Sequence, residues 1–483
     1  MSLGLSNRLS ILHQSPHDLE LASEEFPESP RNAAIKTWVP SRYTFRAKTA
    51  DNRLVLWNSY TGAICVFNAD QAPEIESILC QKGYASEETG AVKYLYNRGF
   101  ITKEGTDEYA RFQLAFGQRQ YQSDRLELIL LASEDCNFRC VYCYEKFARG
   151  TMRPEVRQGI KKLVKGRLPG LRTLSISWFG GEPLYGFQAI EDLAPFFWDI
   201  AQENSMYFRS HMTTNGYLLT PEIAEKLLAW RVNSFQVTLD GPPECHDHSR
   251  QTRNGEKSFD VIFSNLKALS RRTEPFQVFL RMNFTPKHVP HMDEFLDLVE
   301  REFREDPRFR MRFRAVGKWG GANDAQMEVC GLNEGSHLIL EFEKQARERG
   351  LALADGFKAS STFGAQVCYA ARPSNFIIGA TGKLMKCTVV LDHEDHNVVG
   401  MITSEGRLEI DQNKLAPWVA PYFESDTQCQ RCTVLPVCQG ISCPLPRVTG
   451  GGRPCIPTRS SWKKELLAKV EQPERKNKRM IET

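Results

Sequence analysis

Between residues 126 and 349 the chain alternates between two hydrophobic periods. Short runs rich in aliphatic and β-branched residues, at 126–132, 173–179, 207–212, 234–239, 277–284 and 310–315, read as strands. Longer stretches with apolar residues three and four apart, at 154–167, 189–203, 221–230, 259–271, 292–304 and 334–349, read as helices. Pro154 and Pro221 stand where a helix's first turn accepts proline. Six strand–helix units predict an α/β fold with a parallel sheet and right-handed crossovers. Period alone leaves two architectures open: an open doubly wound sheet, or a (β/α)6 barrel short of two units. In a barrel, functional groups gather at the C-terminal ends of the strands, and the motifs described below all fall there.

Upstream, 37–111 predicts a compact α+β module. Strands at 43–47, 54–57 and 63–67 are punctuated by Ala50-Asp51-Asn52 and Tyr60-Thr61-Gly62, and helices at 72–81 and 86–98 precede an extended 100–102. Residues 1–36 are polar, carry Pro16, Pro27 and Pro30, and lack a sustained period, as expected of a flexible arm. Beyond about 350 the pattern gives way to glycine, proline and short hairpin signals with seven cysteines. That segment promises little apolar core, so a metal or cluster framework is its expected stabiliser. From Trp462 onward the chain reads as a short helix and a solvated basic tail. The expected boundaries are an arm at 1–36, a module at 37–115, a barrel at 120–350, a cysteine-rich domain at 360–462 and a tail at 463–483.

Composition narrows the class. Of 483 residues, 41% are hydrophobic and 25% charged, ordinary for a soluble globular protein, and the net charge of +3 makes no case for nucleic acid. The longest apolar runs are far too short to cross a bilayer. The N-terminal residues lack the charged and apolar regions of a secretory signal, so a cytoplasmic location without membrane contact is expected. In that compartment the 14 cysteines favour metal or cluster ligation over disulfides.

Three of them, Cys136, Cys140 and Cys143, form a C-x3-C-x2-C triplet directly after the first strand. Three thiolates in eight residues suit three corners of a four-iron cluster, leaving one iron open. One unit later, Trp178-Phe179-Gly180-Gly181-Glu182-Pro183 ends the second strand; paired glycines let backbone approach a ligand closely, and a carboxylate accepts from an ammonium group. Thr213-Thr214-Asn215-Gly216, Thr238-Leu239-Asp240-Gly241 and Arg281-Met282-Asn283 close the third, fourth and fifth strands.

The triplet and its followers resemble the radical SAM superfamily, whose defining motif is C-x3-C-x2-C after the first barrel strand. The resemblance implies a partial (β/α)6 TIM barrel in which Cys136, Cys140 and Cys143 hold a [4Fe–4S] cluster whose unique iron binds S-adenosylmethionine. It implies reductive cleavage of that cofactor to a 5′-deoxyadenosyl radical. Tyr142 matches the aromatic near the adenine, and Gly180, Gly181 and Glu182 match the motif that holds the methionine amino group. Thr213, Asn215, Asp240, Arg281 and Asn283 match strand-end positions lining the same site. Glu244, His246-Asp247 and Arg250, after Asp240-Gly241, resemble the peptide- and protein-modifying branch; His246 itself reads as a surface-turn histidine.

Further on, Cys368-x13-Gly382-x4-Cys387, Cys429-x2-Cys432-x5-Cys438-x4-Cys443 and Cys455 are similar to the seven-cysteine SPASM pattern, with one extra residue between Cys438 and Cys443. Carried over, Cys429, Cys432, Cys438 and Cys455 imply a fully ligated distal [4Fe–4S] cluster. Cys368, Cys387 and Cys443 imply three ligands of a proximal one, which Cys330, a substrate thiolate or nothing would complete. The count is then three [4Fe–4S] clusters. A structural zinc site is the competing reading of Cys429-x2-Cys432. Cys65, Cys80 and Cys245 read as small buried residues.

The upstream module looks like the winged-helix-type domain that captures leader peptides in ribosomal-peptide maturases, with a strand edge available for pairing. The whole resemblance implies an oxidoreductase installing a thioether or C–C crosslink in a ribosomally made peptide, with electrons from a flavodoxin or ferredoxin. Rival readings are a formylglycine-generating sulfatase-type maturase, a peptide epimerase using Cys330, and a zinc-stabilised peptide-binding scaffold. Against the first, Thr388 follows Cys387 where those maturases commonly carry an aspartate.

Overall fold

The computed structural model describes residues 20–21, 36–80, 84–86, 90–147, 149–354 and 360–470. At the N-terminal end, one four-stranded sheet has the order β1-β5-β4-β3, built from β1 (Glu20–Leu21), β3 (Thr44–Lys48), β4 (Leu54–Asn58) and β5 (Ile64–Phe67). A three-stranded antiparallel sheet sets β2 (Lys36–Pro40) between β6 (Tyr84–Ser86) and β7 (Ile101–Lys103). The strand β4 is buried along its whole length. Its period of two sends Leu54 and Leu56 into a core with Ile75, Leu79 and Val92. Val55 and Trp57 face the opposite way, onto Val434, Val437, Ile456 and Leu466 of the C-terminal segment.

The reading of 1–36 as an arm falls largely outside the described residues; of it, Glu20–Leu21 pairs in parallel with Cys65–Val66. The expected helix at 86–98 is shorter: Tyr84–Ser86 is strand, and the helix is Gly90–Asn97.

In the middle of the chain six parallel strands stand side by side in sequence order: β8 (Arg125–Ser133), β9 (Thr173–Gly180), β10 (Tyr207–Thr214), β11 (Ser234–Thr238), β12 (Gln277–Phe284) and β13 (Phe309–Ala315). A doubly wound sheet reverses its strand order at a switch point. This one never does, which decides for the barrel-type winding. Helices Pro154–Arg167, Phe187–Glu203, Pro221–Ala229, Phe259–Ser270, Met292–Phe303 and Leu332–Glu348 cover the outside. Pro221 sits in the first turn of its helix, and the Thr220 hydroxyl accepts the Ile223 N–H at 3.4 Å as its cap. The two-residue β14 (Ala352–Leu353) extends the far edge.

The barrel does not close β8 against β13. Instead β15 (Asn375–Ile378) pairs in parallel with β8, and β16 (Lys383–Met385), β17 (Val398–Ile402) and β18 (Leu408–Ile410) continue antiparallel, giving one eleven-stranded sheet. This corrects the expectation of a core-poor C-terminal segment: Phe376, Ile378, Leu384, Val399, Ile402 and Trp418 are buried in the same core as the barrel strands. The short helix expected from Trp462 is present but docked rather than solvated, and the basic tail beyond 470 lies outside the described residues. The helix Thr458–Val470 buries Leu466, and Trp462 lies 4.8 Å from the Phe45 ring.

Candidate radical-cluster site

The triplet loop leaves the C-terminal end of β8. Asp135 Oδ1 accepts the Cys136 N–H at 2.8 Å, Cys136 Sγ accepts the Phe138 N–H at 3.3 Å, and the Cys143 N–H reaches the Cys140 carbonyl at 3.1 Å. These local bonds curl the loop, and Cys140 and Cys143 lie near enough to Cys136 to act on it electrostatically. Burial pushes the Cys136 thiol up, followed by the Glu182 charge, with Cys140 and Cys143 adding to it. Burial likewise pushes Cys143 up to about 12, with Glu145 and Cys140 contributing. Free thiols packed in a desolvated loop resist ionisation; a cationic iron centre supplies the missing charge. The donor set therefore fits a thiolate-ligated cluster.

The two glycines do their work against this loop. A Cβ on Gly180, whose φ is +123°, would stand 2.0 Å from the Ser133 carbonyl oxygen, and one on Gly181 would stand 2.5 Å from the Asp135 oxygen. Their bareness lets the end of β9 press onto the residues leading into Cys136. Glu182 is fully buried. It accepts from the Leu184 N–H (2.9 Å), the Thr214 hydroxyl (2.8 Å) and the Asn215 N–H (2.7 Å). Burial nevertheless holds its carboxyl up at about 7. In this structure Glu182 binds β9 to the end of β10. Asn215 completes the link, its amide donating to Asn137 Oδ1 at 2.7 Å and approaching Cys136 Sγ at 3.9 Å.

A second network joins the fourth and fifth strand ends. The half-buried Tyr142 hydroxyl bonds the Asp240 carboxylate, accepts from Arg250 Nη1 at 2.6 Å and from Asn283 Nδ2 at 3.2 Å. Asp240 Oδ1 accepts the Asn283 N–H at 2.9 Å, and Arg281 Nε donates to Asn283 Oδ1 at 2.7 Å. Asp240 and Arg250 are buried, so the guanidinium is the counter-charge of the carboxylate. Thr213 stands apart from this network, its hydroxyl 3.5 Å from His211 Nε2.

His246 is not a surface histidine. It is fully buried, its Nδ1 accepts the Asp240 N–H at 3.1 Å, and its ring packs edge-on to Phe259 at 5.4 Å. Burial keeps it neutral well below the usual histidine range. Of the three cysteines read as buried, Cys65 is, Cys245 is half-buried, and Cys80 is exposed at the end of its helix with Arg46 Nη1 at 3.2 Å.

The later cysteines gather in two sets. Cys429, Cys432, Cys438 and Cys455 line one cavity. Burial pushes Cys438 up to about 12, with Cys432, Cys429 and Cys455 each adding to it. Arg459 Nη1 lies 3.3 Å from Cys455 Sγ, and Arg447 Nη2 3.8 Å from Cys429 Sγ. Cys368, Cys387 and Cys443 form the other set: burial pushes Cys387 up to about 11, with Cys368 and Cys443 contributing, and Cys443 raises Cys368 in the same way. Cys330 is elsewhere, buried near Ala315 and Gly335. Among the described residues, no three His, Cys, Asp or Glu side chains close to the geometry of a single bound metal ion. No helix among them is long and apolar enough to cross a membrane.

One pocket lies between the triplet loop and the segment after Cys387. Tyr144 and Glu145 line it from one side, Trp319 from the loop after the sixth barrel strand, and Val389–Leu391 with Asp392 from the other. Arg149 crosses it, donating to Glu134 Oε2 at 2.8 Å and Asp392 Oδ1 at 2.9 Å. Glu145 carries its carboxyl up at about 8, through burial first and then Glu134 and Asp392. Sequence reasoning singled out none of these residues. The only available signal was that Glu145 and Arg149 closely follow the triplet.

Residues 130–299 match the model of the radical SAM superfamily. The chain is 26% identical over 263 residues to the radical SAM cyclopropyl synthase TigE of Paramaledivibacter caminithermalis, covering 47% of this chain and 54% of that protein. It is 28% identical over 180 residues to a cysteine-type anaerobic sulfatase-maturating enzyme of Clostridium novyi, covering 35% and 46%. With the mycofactocin maturase MftC of Mycobacterium tuberculosis it shares 24% over 284 residues, covering 56% and 66%. The chain thus spans about half the length of the first two relatives and two thirds of the third. Among solved structures, native anSMEcpe with bound AdoMet and Cp18Cys peptide superposes with a TM-score of 0.53 at 18% identity, over 71% of this chain and 96% of that one, a likeness of fold. Members of the superfamily use S-adenosylmethionine and a [4Fe–4S] cluster. With its barrel winding, its triplet at the end of the first strand and the match over 130–299, this part of the chain is a radical SAM domain.

Proposed function

We propose that this chain is a radical SAM enzyme that oxidatively modifies a ribosomally synthesised peptide, installing a thioether or C–C crosslink. The observation that carries the reading is the pocket shared by the residues after Cys143 and the residues after Cys387. A peptide side chain entering it lies between the triplet and a second set of thiols. Cys136, Cys140 and Cys143 would hold the radical SAM cluster; Cys368, Cys387 and Cys443 would hold one auxiliary [4Fe–4S] cluster and Cys429, Cys432, Cys438 and Cys455 another. Tyr142, Gly180, Gly181, Glu182, Thr213, Asn215, Asp240, Arg281 and Asn283 would line the S-adenosylmethionine site. When bound, these groups supply one-electron chemistry able to take a hydrogen atom from an unactivated carbon.

The chain's own residues orient and enclose. Arg149 clamps Glu134 to Asp392 and so fixes the triplet side of the pocket to the C-terminal side. Trp319, 54% exposed, offers an apolar wall for a peptide side chain. Arg250 and Asn283 hold the Tyr142 ring in place beside the triplet. The module at 37–115 presents outer strands β3, β6 and β7 that suit pairing with an extended leader peptide. A flavodoxin or ferredoxin would supply electrons, the barrel would span 120–350, and the auxiliary-cluster domain 360–462.

Formylglycine formation is the second reading, favoured by the sulfatase-maturating relative. Weighing against it, the residue after Cys387 is Thr388, and its hydroxyl is engaged with Tyr369 at 2.7 Å. Epimerisation lacks support because Cys330 is buried in the core. Anaerobic reconstitution should yield a brown protein with iron and sulfide each near about twelve per chain. It should make 5′-deoxyadenosine and remove two hydrogens from its peptide. A colourless zinc protein making no 5′-deoxyadenosine would end the proposal, and formylglycine in the peptide (two hydrogens lost from Ser, or two hydrogens lost and sulfur replaced by water's oxygen, as sulfide, from Cys) would replace it with the second reading.

A further inference from the structure

A separate cavity of about 260 Å³ opens where the helix Glu108–Gln120, the start of β8 and the residues before Cys368 meet. Arg125 and Glu127 stand at the N-terminal end of β8, the end opposite the triplet, so this cavity is distinct from the cofactor site. Its walls carry three guanidinium groups, from Arg119, Arg125 and Arg372, against one carboxylate, Glu127. That carboxylate is already spoken for: Arg372 Nη1 donates to both its oxygens at 2.8 and 3.1 Å, and Asn375 Nδ2 to one at 3.1 Å. Among the described residues neither Arg119 nor Arg125 has a carboxylate partner. Burial, then the charges of Arg125 and Arg372, hold the Arg119 guanidinium below its usual range.

A second observation is independent of the arginines. Gln439 lines the cavity, is 4% exposed, and its Nε2 is buried with no hydrogen-bond partner. A buried donor left unpaired costs about 1–3 kcal/mol, which an occupant's oxygen would recover. Gly364 lines the cavity beside it, where a Cβ would stand 3.0 Å from that same Nε2 and 3.7 Å from Arg119 Nη1. A side chain there would crowd the donor, and glycine leaves it open.

We propose that this cavity is an oxyanion site. It takes a carboxylate or phosphate group, with Arg119 and Arg125 supplying charge and Gln439 Nε2 a directed donor. Because the cavity is bounded by the helix Glu108–Gln120, the first barrel strand and the run leading into Cys368, an occupant ties the three together. The proposal is independent of the peptide chemistry proposed above.

The test uses the full-length reconstituted protein, titrated calorimetrically with inorganic phosphate and separately with glutarate at constant ionic strength. Saturable binding of one or both is expected. Arg119→Gln with Arg125→Gln should weaken it by at least about tenfold, the worth of one charge-assisted contact. Gln439→Asn, which keeps the left-handed backbone at φ +51° and shortens the donor, should weaken it several-fold. Arg304→Gln, on a distant helix face, should change nothing. If the double variant fails to fold, Arg125→Gln alone carries the same expectation. Preference for phosphate or for glutarate assigns the ligand's class. No saturable binding of either, or binding that the arginine variants leave unchanged (an adventitious ion only), overturns the site.

Discussion

Gly180→Ala should unseat the triplet while leaving the fold intact. The new Cβ would meet the Ser133 carbonyl oxygen at 2.0 Å, so the two backbones must part by about 1 Å to reach the 3.0 Å below which real contacts are not found. The φ of +123° adds about 1–3 kcal/mol of backbone strain for any L side chain. Parting the strands stretches the bonds from Gly181 N–H to the Ser133 oxygen and from Glu182 N–H to the Asp135 oxygen, both 3.1 Å, at about 1 kcal/mol each. The sum is about 3–5 kcal/mol, imposed on the residues that lead into Cys136. Gly170→Ala is the control, because its φ is +88° but nothing lies within 4 Å of the added Cβ; it should cost about 1–2 kcal/mol. After anaerobic reconstitution, iron and sulfide would be measured beside the melting temperature. We expect Gly170→Ala to bind iron like the wild type, and Gly180→Ala to fall to the content of Cys136→Ala. If Gly180→Ala keeps its iron and melts together with Gly170→Ala, the close approach does not position the loop.

Three further outcomes follow from other contacts. His211 sits at about 4, against an ordinary 6.5, because burial and then Arg312 disfavour its cation. The folded chain therefore binds fewer protons there than the unfolded one, so stability rises with pH between about 4 and 6.5, is complete above that window and is lost as pH falls through it; His211→Gln should flatten that part of the melting temperature–pH curve. Cys443→Ser should lose as much iron as Cys387→Ser, and a full iron complement would remove Cys443 from the ligand set. Arg250→Gln strips the buried Asp240 of its cation 3.9 Å away and should cost about 3–5 kcal/mol in chemical denaturation. Tyr142→Phe, which removes only a hydroxyl, should cost nearer about 1 kcal/mol.

The six barrel strands were legible because each is a short β-prone run bounded by turn residues and followed by a clean helical period; the expected 277–284 coincides with Gln277–Phe284. The barrel itself was not, since period carries no strand order, and order distinguishes the two windings. The strands β2 and β6 escaped notice because five and three residues, one ending in Pro40, are too short to show a period. His246 was misread because Glu244-Cys245-His246-Asp247-His248 is polar by composition, whereas its burial depends on Phe259 and the Asp240 N–H. The assignment of the later cysteines to two clusters rests on family resemblance, since spacing alone says nothing of how Cys443 stands to Cys368 across 75 positions. Neither the Arg149 clamp, whose Asp392 partner is 243 residues away, nor the arginine cavity leaves a local trace.

The pairing of β15 with β8 bears on how the enzyme is made. During synthesis β8, bearing the triplet at its end, emerges early, while its outer partner Asn375–Ile378 follows 248 residues later, Glu127 pairing with Asn375. Until then the first strand has an open edge, which is a template for intermolecular pairing. A ribosome-bound or truncated chain ending before 375 would therefore be aggregation-prone however well its six strand–helix units form. The C-terminal segment thus supplies the strand that covers the outer edge of β8, and excising it would leave that edge unpaired.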